Sequence, residues 1–262
     1  MQNQCMETLT RILTADALSL LFAVSSIFLV AGLVKGIVGL GLPTVAVGLL
    51  GLVMAPMEAA SLLIVPSAVT NVWQLAAGPS FWPLLRRLWP MLIGICLGTL
   101  AGGAMLPRDL TGYASTALGT ALVMYAVIGL AAVRVTVPAC MEARFSPVVG
   151  ATTGLVTSAT GVFVIPAVPY LQGLGLDKED LVQALGLAFT VSTFSLAASL
   201  AFDGVFQPAV AVTSFYALVP ALAGMLFGQW IRSRIRPEIF RKIFFVGLLA
   251  LGAHLSLRSF MS

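Results

Sequence analysis

The chain has 262 residues, 59% of them hydrophobic and only 9% charged, with a mean hydropathy of +1.03, whereas soluble domains run at about 45–50% apolar and 25% charged. That balance excludes a soluble enzyme and requires a multi-span membrane protein, one membrane domain over residues 1–262 with no stretch left for a soluble one. The net charge of +4 does not point to nucleic acid, because the Lys and Arg residues sit in short connections between apolar runs, where positive-inside bias puts them.

Nine apolar segments follow in chain order, at about 15–34, 36–55, 58–78, 88–106, 110–133, 146–172, 180–202, 207–230 and 239–257. The first follows Arg11 and resembles a signal sequence. It is long, however, and no small-x-small cleavage site follows, so a retained helix is expected. The second and sixth segments carry a Gly-rich, Pro-containing pattern that occurs twice: GLVKGIVGLGLPTVAVGLL from Gly32 and GATTGLVTSATGVFVIPAVPYL from Gly150. Gly32 and Gly36 align with Gly150 and Gly154 at an offset of 118, and Thr70-Asn71 with Ser192-Thr193 at an offset of 122. Repeat one is expected over about 32–133 and repeat two over about 146–258, and paired Gly/Pro-interrupted segments of this kind point to a transporter's binding site.

Charge placement selects the topology. If all nine segments cross, eight of the fourteen Lys and Arg residues face inward, a weak bias. If instead 36–55 and 146–172 dip in and return, eleven are cytoplasmic and only Lys35, Arg108 and Arg258 remain outside. Each repeat then holds one re-entrant segment and three crossings, so the two copies are inverted. The expected fold is an all-α polytopic membrane protein of two inverted repeats with an additional N-terminal helix. It has about seven to nine membrane segments and a cytoplasmic N-terminus. The cluster Arg232, Arg234, Arg236, Arg241 and Lys242 reads as a topology anchor.

The ten acidic residues all fall at segment ends or between segments, which disfavours a carboxylate proton pump. His254 stands alone. No G-x-S-x-G, HExxH or CxxC occurs, and Cys5, Cys96 and Cys140 lack metal-ligand spacing, so neither an enzyme, a metal nor a cofactor is expected. What remains in the interior is backbone and neutral polar groups: Gly36, Gly39, Gly41, Pro43 and Thr44 in one repeat, and Thr157, Ser158, Thr160 and Gly161 in the other. Helices broken there would present free N–H groups to an anion, with the hydroxyls as further donors. Membrane hydroxyls also commonly bond back to their own helix. Asn71 and Gln74 share a helix face, with Ser192 and Thr193 in the matching part of the second repeat. Lys35, at the edge of the first Gly-rich segment, either draws anions inward or snorkels to the interface. Gly98/Gly102 and Gly224/Gly228 read as helix-packing pairs.

The paired motifs GLVKGIVGLGLPTVAVGLLGL and GATTGLVTSATGVFVIPAVPYLQGLGLDKEDLVQALGLAFTVST resemble the sulfite exporter TauE/SafE family of bacterial membrane transporters, and the likeness in size and span pattern covers almost the whole chain. The resemblance implies export of sulfite, sulfonates or related organosulfur anions across the bacterial inner membrane. A carrier would do this by alternating access, with the two re-entrant segments meeting near the midplane around one anion. An anion channel of the same fold and a non-transporting membrane scaffold are the alternatives. Expected partners are a small anionic substrate and the lipid bilayer, without nucleic acid; self-association as a homodimer is left open.

Overall fold

A computed structural model describes residues 2–105, 111–131, 136–205, 208–232, 234 and 237–261. Arg108, Arg134 and Arg236 lie outside the described residues, as do the side chains of Arg11 and Arg258. The described residues form ten helices: α1 (Gln2–Val38), α2 (Leu42–Leu50), α3 (Pro56–Ala76), α4 (Phe81–Met105), α5 (Thr111–Leu130), α6 (Ala139–Thr160), α7 (Ala167–Gly173), α8 (Lys178–Phe202), α9 (Pro208–Arg232) and α10 (Pro237–Met261).

Six of these are long and apolar enough to cross a membrane: α3, α4, α8, and the parts Ser19–Val38 of α1, Val212–Arg232 of α9 and Phe240–Leu257 of α10. The apolar part of α5, Ala114–Leu130, is shorter, at about 25 Å by the helical rise. α6 is not among the six, because Glu142, Arg144 and its hydroxyl residues dilute the apolar run.

The element boundaries differ from the sequence expectation in one respect. α1 runs unbroken through residues 34–36, so the first apolar run and the start of the first Gly-rich segment are one helix, with no separate additional helix before it. The break comes later, at Gly39 and Gly41, whose φ of 84° and 105° fall in the left-handed region that glycine adopts without strain. Pro43 then sits in the first turn of α2, where its missing N–H costs nothing. The second Gly-rich segment breaks similarly, at Gly161 (φ 72°), which caps α6 before the chain runs on to α7. α2 and α7 are about 14 and 10 Å long, too short to cross a hydrocarbon core of about 30 Å.

Both short helices turn the chain back. The Val137 N–H donates to the Gly173 carbonyl at 2.9 Å, and the Tyr170 hydroxyl donates to the Glu142 carbonyl at 3.2 Å, so the beginning of α6 and the end of α7 lie together. In the first half, a Cβ on Gly41 would touch Phe244 and one on Gly48 would touch Leu251, so α2 runs alongside α10.

Glycines set the long contacts. α1 and α9 pack in parallel: a Cβ on Gly32 or Gly36 would run into the carbonyl oxygens of Ala221 and Met225, and one on Gly224 or Gly228 into those of Leu29 and Leu33. α4 and α6 do the same. A Cβ on Gly150 or Gly154 would strike the carbonyls of Met91 and Ile95, and one on Gly94 or Gly98 those of Pro147 and Ala151. Inside lipid there is no water to expel between helices, so this backbone-to-backbone approach supplies the attraction through van der Waals contact. Two other pairs run antiparallel. The end of α3 meets the start of α8 through Gln183, whose Nε2 donates to the carbonyls of Leu75 (2.8 Å) and Gly78 (2.7 Å). Along α5 and α10, Gly119 faces Ser256 while Gly129 faces Phe245.

Candidate functional site

One face of α3 carries Ser67, Thr70, Asn71 and Gln74, all buried, at the spacing that lines residues along a single side of a helix. Pro66, one turn earlier, has no N–H to offer the Leu62 carbonyl. Ser214 of α9 repairs this gap by donating to Leu62 O at 2.7 Å and accepting from the Val65 N–H at 3.1 Å.

Onto that face comes Lys35, from the last turn of α1. It is 5% exposed; its Nζ donates to Thr70 Oγ1 at 3.0 Å and to Asn71 Oδ1. Asn71 Nδ2 in turn donates to Thr193 Oγ1 on α8 at 3.3 Å. Thr70 and Thr193 spend their own protons on the carbonyls of Pro66 and Phe189, both at 2.7 Å. They therefore act as acceptors in the seam. Asn71 and Thr193 are 122 residues apart, the offset of the aligned polar pairs. This hydrogen bond ties α3 to α8 where the two helices cross. Both hydrogen-bond partners of Lys35 are neutral, although an ammonium offers three donors.

Beside the seam lies the first break. A Cβ on Gly39, one turn past Lys35, would have nothing within 4 Å, whereas one on Gly41 would lie 3.3 Å from Val34. The first turn of α2 is thus folded onto the residue preceding Lys35. Thr44 Oγ1 in that turn, Ser67 Oγ and Ser192 Oγ are buried and bond no protein atom.

A family model, that of the sulfite exporter TauE/SafE, matches residues 24–255, from within the first crossing to near the end of α10. The chain belongs to that family. TauE/SafE proteins are membrane transporters and not enzymes, which sets the buried seam in a transport context. A search of curated proteins and one of solved structures return no match.

Within this TauE/SafE fold the residues singled out from sequence separate into groups. Lys35, Asn71 and Thr193 come together, with Gly39, Gly41, Pro43 and Thr44 at the adjoining break. Ser192 neighbours Thr193 in sequence but bonds nothing. Gly36 lies in the last turn of α1 against the α9 backbone, where packing accounts for it. Gln74 Nε2 donates to the Val182 carbonyl at 2.9 Å and so ties α3 to α8. The hydroxyls of Thr157, Ser158 and Thr160 donate back to the carbonyls of Thr153, Leu155 and Val156, and Thr160 Oγ1 also accepts the Val162 N–H at 3.1 Å. They are committed within their own helix or its cap.

One expectation about position changes. Lys35 does not snorkel outward; it is buried inside the bundle, because the unbroken α1 carries it past the point where a separate segment would have begun. The two Gly-rich segments touch, with the second break set against the middle of α2. A Cβ on Gly161 would lie 2.7 Å from Ala60 and 3.6 Å from Val47, and Val47 is six residues, about 9 Å of helix, beyond Gly41. α7 adds little as an anion-binding end, since Pro169 lacks an N–H and those of Val168 and Tyr170 go to Val164 and Pro166. Sequence reasoning passed over Gln183 and Ser214. The interior place of Lys35 was one of two readings the sequence left open, its signal a cation lodged between Val34 and Gly36 in an apolar run.

Proposed function

We propose that this TauE/SafE chain exports a small sulfur oxyanion, sulfite or a sulfonate, across a bacterial inner membrane by alternating access. In this reading α1–α5 and α6–α10 are inverted repeats. The observation that carries it is the exchange of partners between them: α1 packs on α9 as α6 packs on α4, while the corresponding pairs α3/α8 and α5/α10 run antiparallel. Antiparallel packing of equivalent helices requires a two-fold axis lying across them, in the membrane plane, which is the architecture used by rocking carriers.

Sidedness follows from charge. Arg87 and Glu142 pair at 2.7 Å, Arg87 also donates to the Leu174 carbonyl, and Gln183 holds Gly78, which gathers the ends bearing Arg86, Arg87, Arg144 and Lys178 on one side. The link between α9 and α10 brings Arg232, Arg234, Arg241 and Lys242 to the same side, which is therefore assigned to the cytoplasm. Because α1 runs parallel to α9, its N-terminal end lies on the opposite side. On this reading the N-terminal end is periplasmic, where the sequence pattern suggested the cytoplasm, because the first apolar run merges with the first Gly-rich segment.

Moving a monovalent anion out of a negative cytoplasm gains about 2.3 kcal/mol per 100 mV, enough to drive export without a second ion. The test is sulfite flux in proteoliposomes. A carrier gives saturable uptake and accelerated exchange when sulfite is loaded on the far side. Flux linear in concentration without exchange acceleration indicates a channel, and no flux with no thermal stabilisation by any sulfur oxyanion indicates a scaffold.

A further inference from the structure

Resting on the transport reading above, we infer that Lys35 is the substrate-contacting cation of the carrier and that it restricts the substrate to one singly charged sulfur oxyanion, such as a sulfonate or hydrogensulfite. Lys35 is buried in the seam, and its two hydrogen-bond partners are neutral oxygens. An ammonium in such a place is costly until a negative charge joins it. A small oxyanion supplies that charge and takes the third donor of the ammonium.

Space and further donors adjoin it. Gly39, one turn past Lys35, is partly exposed and has open space where a side chain would project. The first turn of α2 folds against Val34, the residue before Lys35, and its leading N–H groups have no helical partner. It also brings Thr44, whose hydroxyl is fully buried and bonds no protein atom. A tetrahedral or pyramidal oxyanion has the several acceptor oxygens such a set of donors requires.

The charge limit comes from asymmetry between the halves. In the packing register of the glycines, the counterpart of Lys35 is Thr153, a neutral residue whose hydroxyl is spent on the Val149 carbonyl at 2.8 Å. Among the described residues Lys35 is the one buried cation. It compensates one negative charge and leaves the second charge of sulfate unbalanced in a buried site.

The experiment measures proteoliposome flux and ligand-dependent thermal stability for wild type, K35R and K35Q with methanesulfonate, sulfite and sulfate. Expected are saturable methanesulfonate flux in wild type, a KM raised at least tenfold or flux lost in K35Q, substantial rescue in K35R, and little sulfate transport by any of them. K35Q flux with an unchanged KM, or sulfate transported as well as methanesulfonate, overturns the inference and leaves the transport reading standing. Lys35-dependent stabilisation by methanesulfonate without flux upholds the site and defeats the transport reading. Should K35Q fail to fold, the unmodified protein decides. The chain has three lysines, and methanesulfonate should slow acetylation of Lys35 by a succinimidyl ester while the exposed Lys178 and Lys242 react as before. Acetylation of Lys35 that ignores the anion overturns the inference.

Discussion

Gln183 carries three hydrogen bonds between α8 and the end of α3: its Nε2 serves the carbonyls of Leu75 in α3 and Gly78 in the turn after it, and its Oε1 accepts the Ser80 N–H at 2.7 Å. Replacement by Leu keeps the volume and strands all three groups. Each buried unsatisfied partner costs roughly 1–3 kcal/mol, so Q183L should lower the unfolding temperature clearly while the folded fraction transports normally. Ser214 is the smaller version of the same case. In S214A the Leu62 carbonyl beside Pro66 loses the Ser214 donor, and roughly 1–3 kcal/mol of stability should go with it, read by thermal unfolding in detergent. An unchanged melting temperature in both variants would mean that water or backbone relaxation serves these groups instead. Neither residue stood out in the sequence, because a Gln or Ser in an apolar helix declares polarity but not which distant carbonyl it answers.

Between elements, the glycine seams should dominate over surface charge. A methyl at Gly150 would collide with the Met91 carbonyl oxygen, forcing α4 and α6 apart; overpacking of this kind costs about 1–3 kcal/mol. At Gly247 on α10 a methyl meets nothing within 4 Å, so G247A should be neutral or gain up to about 1 kcal/mol from helix propensity. Thermal scans of the two Ala variants should therefore move in opposite directions or differ widely. The Arg87–Glu142 pair joins the same two helices at the bundle end, but Arg87 is 39% exposed, and exposed pairs are worth about 0.2–1 kcal/mol. R87A should thus destabilise less than G150A. The reverse order would mean that the helices are held at their ends and not along the seam. Gly98/Gly102 and Gly224/Gly228 were recognisable as packing pairs from their spacing alone. That Gly32, Gly36, Gly150 and Gly154 pack equally closely emerged only once their partner helices were in place.

For the molecule as a whole, inversion is testable without substrate. In a chain with Cys5, Cys96 and Cys140 replaced, V53C lies just after α2 and K178C at the start of α8, both exposed. A membrane-impermeant thiol reagent should reach V53C from the periplasmic side and K178C from the cytoplasmic side. Labelling of both from one side would contradict the inverted arrangement and the sidedness assigned to α1.

Composition, apolar run length and the duplicated Gly/Pro pattern were enough by themselves to establish an all-helical membrane protein with helices broken near Gly39–Gly41 and Gly161, since these depend on local backbone preference and on hydropathy summed over about 20 residues. Membership of the TauE/SafE family was legible in the same motifs. What only the tertiary structure decided is which polar groups meet. A lysine in an apolar run reads equally well as an interfacial anchor or an interior cation, and the difference lies in whether α1 ends before it or carries it inward to Thr70 and Asn71. Likewise Asn71 and Thr193 become partners only because α3 and α8 cross there. Contacts of that range depend on helix direction and register, which no local stretch of residues encodes.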